Sequence, residues 1–468
     1  MKKFSNFVIC LLLCVFASGL VGCGKNKCNG FSPATEEVVI GNGGMVVRKG
    51  EYVYFANGFQ NVSSLTESQR DSAYTKGGLY VAKLENDEFV RDEDGNLVSE
   101  NLRQVSTKLA GYDATDLYVF GDYLYFVSPS TKQESGKLTE SEWAKDRSVF
   151  YRVKLSNFDK VEELYQANVK HENLSYQYYN KDGKTYLIVH EKGEDLNGDG
   201  NKDRLLRIDV QAKKKKDKVK VVASNVTSFV FGAGKEDNAF DRIYFVENAD
   251  EKYNLYRYNA ATNDKTTVIA ASTTEIVAKF VSENYVFITR TDGSTAYMQR
   301  AELGGKFSNM MPDTSEDAVG ELFLMPNGAD IMSVVGNTFQ FYMAGNSTVS
   351  PKFIKDADSD SVSTINVIGF ANGSIVYYDN NNKLKMVSYS ELLAGQTPTI
   401  QHIATVEFNA DYIDINGGDL FYCTGEDAGY LFKIDLVNNT AEDGQAKGEL
   451  VGIYLDEDKP SDEEETAE

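Results

Sequence analysis

A chain of 468 residues with 42% hydrophobic side chains has enough apolar material for real cores and too much for general disorder. Tyr (28) and Phe (26) are abundant and Pro (7) is scarce, which favours sheets, because aromatic side chains fit a pleated, half-buried surface. The net charge of −22 repels nucleic-acid phosphates, so nucleic acid is excluded as a partner, and the ordinary consequence of such a charge is solubility.

In chain order, Lys2 and Lys3 form a basic start, and Phe7 to Ala17 form an apolar stretch too short for a comfortable membrane span. It ends in Leu20-Val21-Gly22-Cys23. Small residues before the Cys suit a peptidase pocket that bulky side chains would not enter. The stretch resembles the lipobox of bacterial lipoproteins. That resemblance implies a signal peptide over 1–22, a diacylglyceryl thioether on Cys23, cleavage before it and acylation of the new amine. The protein would then be extracytoplasmic and lipid-anchored to the bacterial cell membrane. Each buried acyl CH₂ contributes about 0.8 kcal/mol, so two or three chains anchor stably. Residues 23–35 read as a lipidated polar tether. Cys10 and Cys14 would leave with the signal, and Cys28 and Cys423 are a weak case for a bridge. Cys423 lies in an alternating run and reads as a small buried apolar residue.

From residue 36 to 455 one motif repeats. A turn pair precedes an alternating aromatic and aliphatic run, clearest in Gly121-Asp122-Tyr123-Leu124-Tyr125-Phe126. A second alternating run follows, here Val149-Phe150-Tyr151-Arg152-Val153-Lys154-Leu155. Period-2 alternation bounded by Gly and Asp predicts a strand, a loop and a strand. The first run returns at Tyr52, Tyr123, Tyr186, Arg242, Tyr285, Phe339, Ile375 and Leu420, a mean period of about 52 residues, within the range of propeller blades. One small sheet cannot bury both its faces, and radial packing of several buries them all. The expected fold is all-β, a β-propeller of seven or eight four-stranded blades. The pattern of Gly, then Tyr-x-Tyr-Phe, then Leu-Tyr-Arg or Tyr-Arg-Val-Lys-Leu resembles the propeller domain of unknown function of bacterial surface lipoproteins, likened to the propeller of the low-density-lipoprotein-receptor group. The resemblance implies an extracytoplasmic binding or scaffolding role and brings no catalytic residues.

The loop between the two motif strands is long in the first three units, over 56–77, 127–148 and 191–204, and shrinks in the fourth to 246–252. Equivalent loops of neighbouring blades emerge on one face, so these insertions are expected to form one elaborated sector where a partner binds. The second contains Thr139-Glu140-Ser141-Glu142-Trp143, a capping-box pattern that predicts a short helix, with the single Trp of the chain. Trp143 is a candidate recognition anchor, although pinning the loop to its blade is its commoner use.

The third insertion reads Asp195-Leu196-Asn197-Gly198-Asp199-Gly200-Asn201-Lys202-Asp203. Alternate oxygens in a tight loop can all turn to a hard cation, with Gly200 permitting the sharp turn. Leu206 stands where an EF-hand has its bidentate Glu. The loop resembles the calcium loops of FG-GAP-type propeller repeats and dockerins. On that resemblance Asp195, Asn197, Asp199 and Asp203 would bind a structural Ca²⁺ through side chains and Asn201 through its carbonyl. The competing reading is an acidic hairpin turn without metal. Asp356, Asp358 and Asp360 alternate too, but Ser361 replaces the turn glycine.

Lys213 to Lys216, with Lys218 and Lys220, form a basic run that reads as a solvated hairpin or as a contact for anionic wall polymers or lipid head groups. The acidic end, 456–468, is expected to be a disordered tail. His171, His190 and His402 show no metal or catalytic spacing, and no Gly-x-Ser-x-Gly elbow is present. The expectation is therefore a non-enzymatic module for a protein or cell-envelope partner. The alternative is a carbohydrate-binding or carbohydrate-active propeller, which a glycan array with a sugar-release assay would separate.

Overall fold

A computed structural model describes residues 30–453, with the exception of 35, 61–77, 87, 94–96, 99–100, 110–115, 130–146, 194–202, 233–241, 282–284, 293–294, 303–306, 315–320, 328–329, 343–351, 356–361, 395–398, 406–411, 425–427 and 439–443. The described residues form eight antiparallel sheets in chain order, each with a core of four strands, which is a β-propeller of eight blades. Blade 1 is built on Val46–Lys49, Tyr52–Ala56, Gly78–Glu85 and Leu102–Leu109, with Val39–Ile40 and Glu88–Phe89 added. Blade 2 uses Tyr118–Phe120, Tyr123–Pro129, Arg147–Lys154 and Asn157–Lys170. Blade 3 uses Leu174–Lys181, Lys184–Glu191, Arg204–Asp209 and Val219–Ala223. Blades 4 to 7 continue from Val226–Phe231 to Ile400–Thr405, and blade 8 uses Ile413–Asn416, Asp419–Cys423, Leu431–Asp435 and Glu449–Leu450.

Blade 3 shows why alternation gives this architecture. In Lys184–Glu191 every residue after the first is buried, because both faces of the strand meet another blade. Leu187 and Val189 pack with Tyr125 and Phe150 of blade 2. Ile188, on the opposite face, packs with Ile243 and Phe245 of blade 4. Each fully buried Val, Leu or Ile contributes about 1.5–3 kcal/mol. The turn before this strand is Asp182-Gly183, both with positive φ (51° and 73°), the form whose twist matches a tight hairpin. Cys423 is buried at 1% exposure and unbridged.

The sixth unit departs from the sequence expectation. The aromatic motif at Phe339 lies in Thr338–Tyr342, the third strand of blade 6, and the second is Ile331–Val335. Ile331–Val335 contains no aromatic residue, so the signature falls on its neighbour.

All four strands of blade 8 come from one continuous stretch, so blades 8 and 1 join without sharing a strand. Their seam is apolar inside, where Phe421, Cys423 and Leu431 pack with Phe55 and Tyr80. Hydrogen bonds finish it. Asn416 Nδ2 donates to the Val46 carbonyl (2.7 Å), Met45 N donates to Asp414 Oδ2 (3.2 Å), and the Asn57 amide both accepts from Ile453 N (3.0 Å) and donates to Ile453 O (2.9 Å). Ala428–Gly429 of blade 8 also pairs with Phe59–Gln60 at the start of the first insertion.

The blades define two faces. Connections from second to third strand emerge on one, here the insertion face. Connections from first to second and from third to fourth strand emerge on the other, the turn face. The chain enters the described structure on the turn face. Gly30 N donates to Ser156 O (3.3 Å) at a third-to-fourth-strand turn of blade 2, and Phe31 stacks on Tyr52 at 4.8 Å beside a first-to-second-strand turn of blade 1.

Candidate functional site

The insertions at 57–77, 130–146 and 192–203 all join second to third strands, in three consecutive blades. The strand ends that bear them therefore lie on the insertion face of neighbouring blades. In blade 4 the equivalent connection is a tight turn at Asp250 and Glu251, both with positive φ (52° and 61°).

The roots of the second and third insertions are held by buried polar groups on one strand, Asn157–Lys170 of blade 2. Glu191 and Arg204 face each other in register across the mouth of the third insertion. Glu191 is 1% exposed, and Arg204 Nε donates to its Oε2 at 2.7 Å. Its other oxygen accepts from the Tyr165 hydroxyl (2.7 Å) and from Asn168 N (2.7 Å), both on the outer strand of blade 2. The carboxylate thus has three donors, which is what makes a buried charge tolerable. Burial, and then the Glu191 charge, push the Tyr165 hydroxyl far above its ordinary pKa, so it stays a donor. Arg147, the first residue after the second insertion, donates from Nε (3.0 Å) and Nη2 (2.7 Å) to the Ala167 carbonyl on the same outer strand. Ser148 Oγ and His171 Nδ1 lie 2.8 Å apart beside it. The outer strand of blade 2 is therefore a common beam for both insertions.

Of the residues proposed for calcium, Asp203 lies among the described residues. It sits at φ 48°, its Oδ1 accepts from Gly193 N (2.7 Å), and its carbonyl accepts from Val226 N (2.7 Å). It closes the neck of the loop and anchors it to blade 4. Asp195, Asn197, Asp199 and Asn201 lie outside the described residues, as do Cys23, Trp143 with its predicted helix, the alternating acids at 356–360 and the acidic tail. Among the described residues no group of three or more His, Cys, Asp or Glu is placed to hold a metal. His190, beside the neck, is 5% exposed, and its Nε2 donates to the Val226 carbonyl (2.9 Å). Burial lowers its pKa and keeps the ring neutral. His402 lies apart on blade 7, its Nε2 3.1 Å from the Ala404 carbonyl.

Sequence reasoning marked Glu191 and Arg204 only as the ends of an insertion. The available signal was an acid and a base at the two strand ends that flank the insertion. A cleft of about 480 Å³ at the seam of blades 8 and 1 is lined by Glu88, Phe89, Lys433, Asp435, Lys447 and Glu449. Glu449 there is paired with Arg91 (3.2 Å) and Lys433 (3.6 Å).

No family model matches the chain, and no curated protein matches it. Solved structures do. A puromycin hydrolase structure is similar at TM-score 0.43 and 11% identity, over 72% of this chain and 53% of that one. The Dos1 propeller is similar at TM-score 0.41 and 10% identity, over 87% and 95%. A prolyl endopeptidase is similar at TM-score 0.43 and 13% identity, over 71% and 48%. This chain thus spans about half the length of the two hydrolases. The expectation of a non-enzymatic protein is corrected here, because the similar structures include hydrolytic enzymes; at these identities they share a fold with this chain and assign it no activity.

Proposed function

We propose that this chain is a lipid-anchored, extracytoplasmic β-propeller that captures a protein or cell-envelope partner on the insertion face of blades 1 to 3. The observation that carries the reading is that three long insertions join second to third strands in consecutive blades, two of them rooted on the outer strand of blade 2, at the face opposite the chain's entry. Loops on a rigid scaffold are where binding is usually carried. The anchor rests on the lipobox resemblance at Cys23, with 1–22 removed and 23–35 as the tether.

In this reading the third insertion is stiffened by a Ca²⁺ held by Asp195, Asn197, Asp199 and Asp203 side chains and the Asn201 carbonyl. Asp203 Oδ1 already closes the loop neck, so the ion would meet a carboxylate held in place by Gly193 N. Such a site fits the weak end of calcium modules, with Kd on the order of 10⁻⁴–10⁻³ M. The ion would hold the loop ready for the partner and take no other role.

The test is capture by the full chain on intact cells, with a photo-crosslinker in the second insertion. Deleting Ser64–Ala73 or Lys137–Asp146 should abolish capture and leave the melting temperature unchanged. Capture that survives both deletions would sink the proposal.

A further inference from the structure

The turn face of blade 3 carries a feature that partner capture does not use. Its third and fourth strands are joined by 210–218, which includes the short helix Lys215–Lys218. The sequence from 213 to 220 holds six lysines and one acid, Asp217. Lys213, Lys214 and Lys220 are exposed, and so are Val219 (36%) and Val221 (59%) on the outer strand. Gln211 Nε2 donates to the Gly183 carbonyl (3.3 Å), which ties the connection to the neighbouring turn and its exposed Lys184. Lys218 is the pin: it is partly buried, and its Nζ donates to the Glu163 carbonyl of blade 2 (3.4 Å). Glu162 of that blade, an acid that could neutralise the cluster, already pairs with Arg152 (2.8 Å) and Lys160 (3.2 Å).

Lysine on an outer strand commonly guards against edge pairing. That role accounts for Lys220 and leaves the run from 213 to 216 unexplained. Exposed aliphatic side chains flanked by lysines are instead the composition that settles on an anionic lipid surface: the ammonium groups meet head groups and the apolar side chains enter the boundary. The position agrees. This lip lies on the turn face, where the chain enters at Gly30 against Ser156 of the adjacent blade.

We infer that the lysine-rich lip of blade 3 docks on the anionic phospholipid head groups of the bilayer that holds the chain, turning the insertion face outward. The inference rests on the lipid-anchor reading. A lipidated N-terminus alone leaves the propeller free to tumble on its tether. A second, electrostatic contact on the entry face fixes its orientation and keeps the insertions clear of the surface. Each lysine near such a surface strengthens partition on the order of fivefold, so reversing Lys213, Lys214 and Lys220 together should weaken docking at least about 100-fold.

The test uses the full chain with vesicles of phosphatidylcholine alone and of phosphatidylcholine with 30% phosphatidylglycerol, read by sedimentation and by hydrogen exchange of the peptide 211–223. The expected result is sedimentation with both vesicles, and protection of 211–223 on the anionic ones only, lost in 0.5 M salt and in the K213E/K214E/K220E variant. Equal exchange on both compositions overturns docking while leaving the anchor standing. If the chain stays in solution with neutral vesicles the anchor reading fails; docking then requires sedimentation with anionic vesicles alone, and its absence overturns docking as well.

Discussion

Replacing Glu191 by Ala tests whether the root of the insertions is held as described. The substitution leaves the Arg204 guanidinium without its carboxylate, and the Tyr165 hydroxyl and Asn168 N–H without an acceptor, all at a buried site. Breaking one partner of a buried pair costs about 3–5 kcal/mol. If the neck opens locally, 3 kcal/mol corresponds to about 150-fold faster exchange at the Asn168 amide, whose acceptor is the deleted oxygen. The double variant Glu191→Leu with Arg204→Met removes both charges and fills the space with apolar atoms. It should be less destabilised than Glu191→Ala, because no charge is left buried without its partner, and should keep the cost of the Tyr165 and Asn168 donors, about 1–3 kcal/mol each. The assay is urea denaturation with residue-resolved hydrogen exchange of the full chain. A cost below 1 kcal/mol for Glu191→Ala, or a double variant whose loss equals the sum of the two single losses, would refute the coupled network.

Three further outcomes are expected. Calorimetric titration with Ca²⁺ should show saturable heat that Asp199→Ala removes; identical traces for both chains would return the loop to a plain turn. His190 has a folded pKa below its ordinary value of about 6.5, so its contribution to stability is complete above that pH and is lost as pH falls through the depressed folded value. A pH series of melting temperatures should show this decline, and His190→Gln, which keeps a donor for Val226 and cannot titrate, should flatten it. Glu251 occupies a left-handed conformation at φ 61° that costs a side chain about 1–2 kcal/mol, so Glu251→Gly should raise stability by roughly 1 kcal/mol in a denaturant melt, and a destabilised variant would contradict the turn geometry.

The strands were legible because their burial is two-sided: Tyr123 to Phe126 and Tyr186 to Val189 announce themselves by composition and alternation. The same cue misplaced the sixth unit, since Ile331–Val335 is buried without an aromatic residue and Thr338–Tyr342 is aromatic without being the second strand. The number of blades needed the pairing itself, which turns on hydrogen bonds and not on any motif. The positions of the insertions were readable as interruptions of the motif. The network beneath them was not, because Glu191 draws Tyr165 and Asn168 from another blade, and nothing in one strand encodes which face of its neighbour it will meet. Asp203 was read as a metal ligand or as part of an acidic turn, and its bond to Gly193 is the kind of local capping that a pattern of oxygens hides.

The seam between blades 8 and 1 bears on how the molecule is made. Because the four core strands of each described blade come from one continuous stretch, each such sheet is complete once its own fourth strand has emerged during synthesis. Assembly can run vectorially, blade upon blade, without a long stretch waiting for its partner. The last event spans nearly the whole chain: Asp414 and Asn416 reach back some 370 residues to Met45 and Val46, and Ile453 to Asn57. Until then the ring is an open arc with Phe55 and Tyr80 bare at one end. A chain stopped short of Ile413 would hold seven finished sheets and an uncovered apolar flank, a form that chaperones or proteases can recognise by that flank alone.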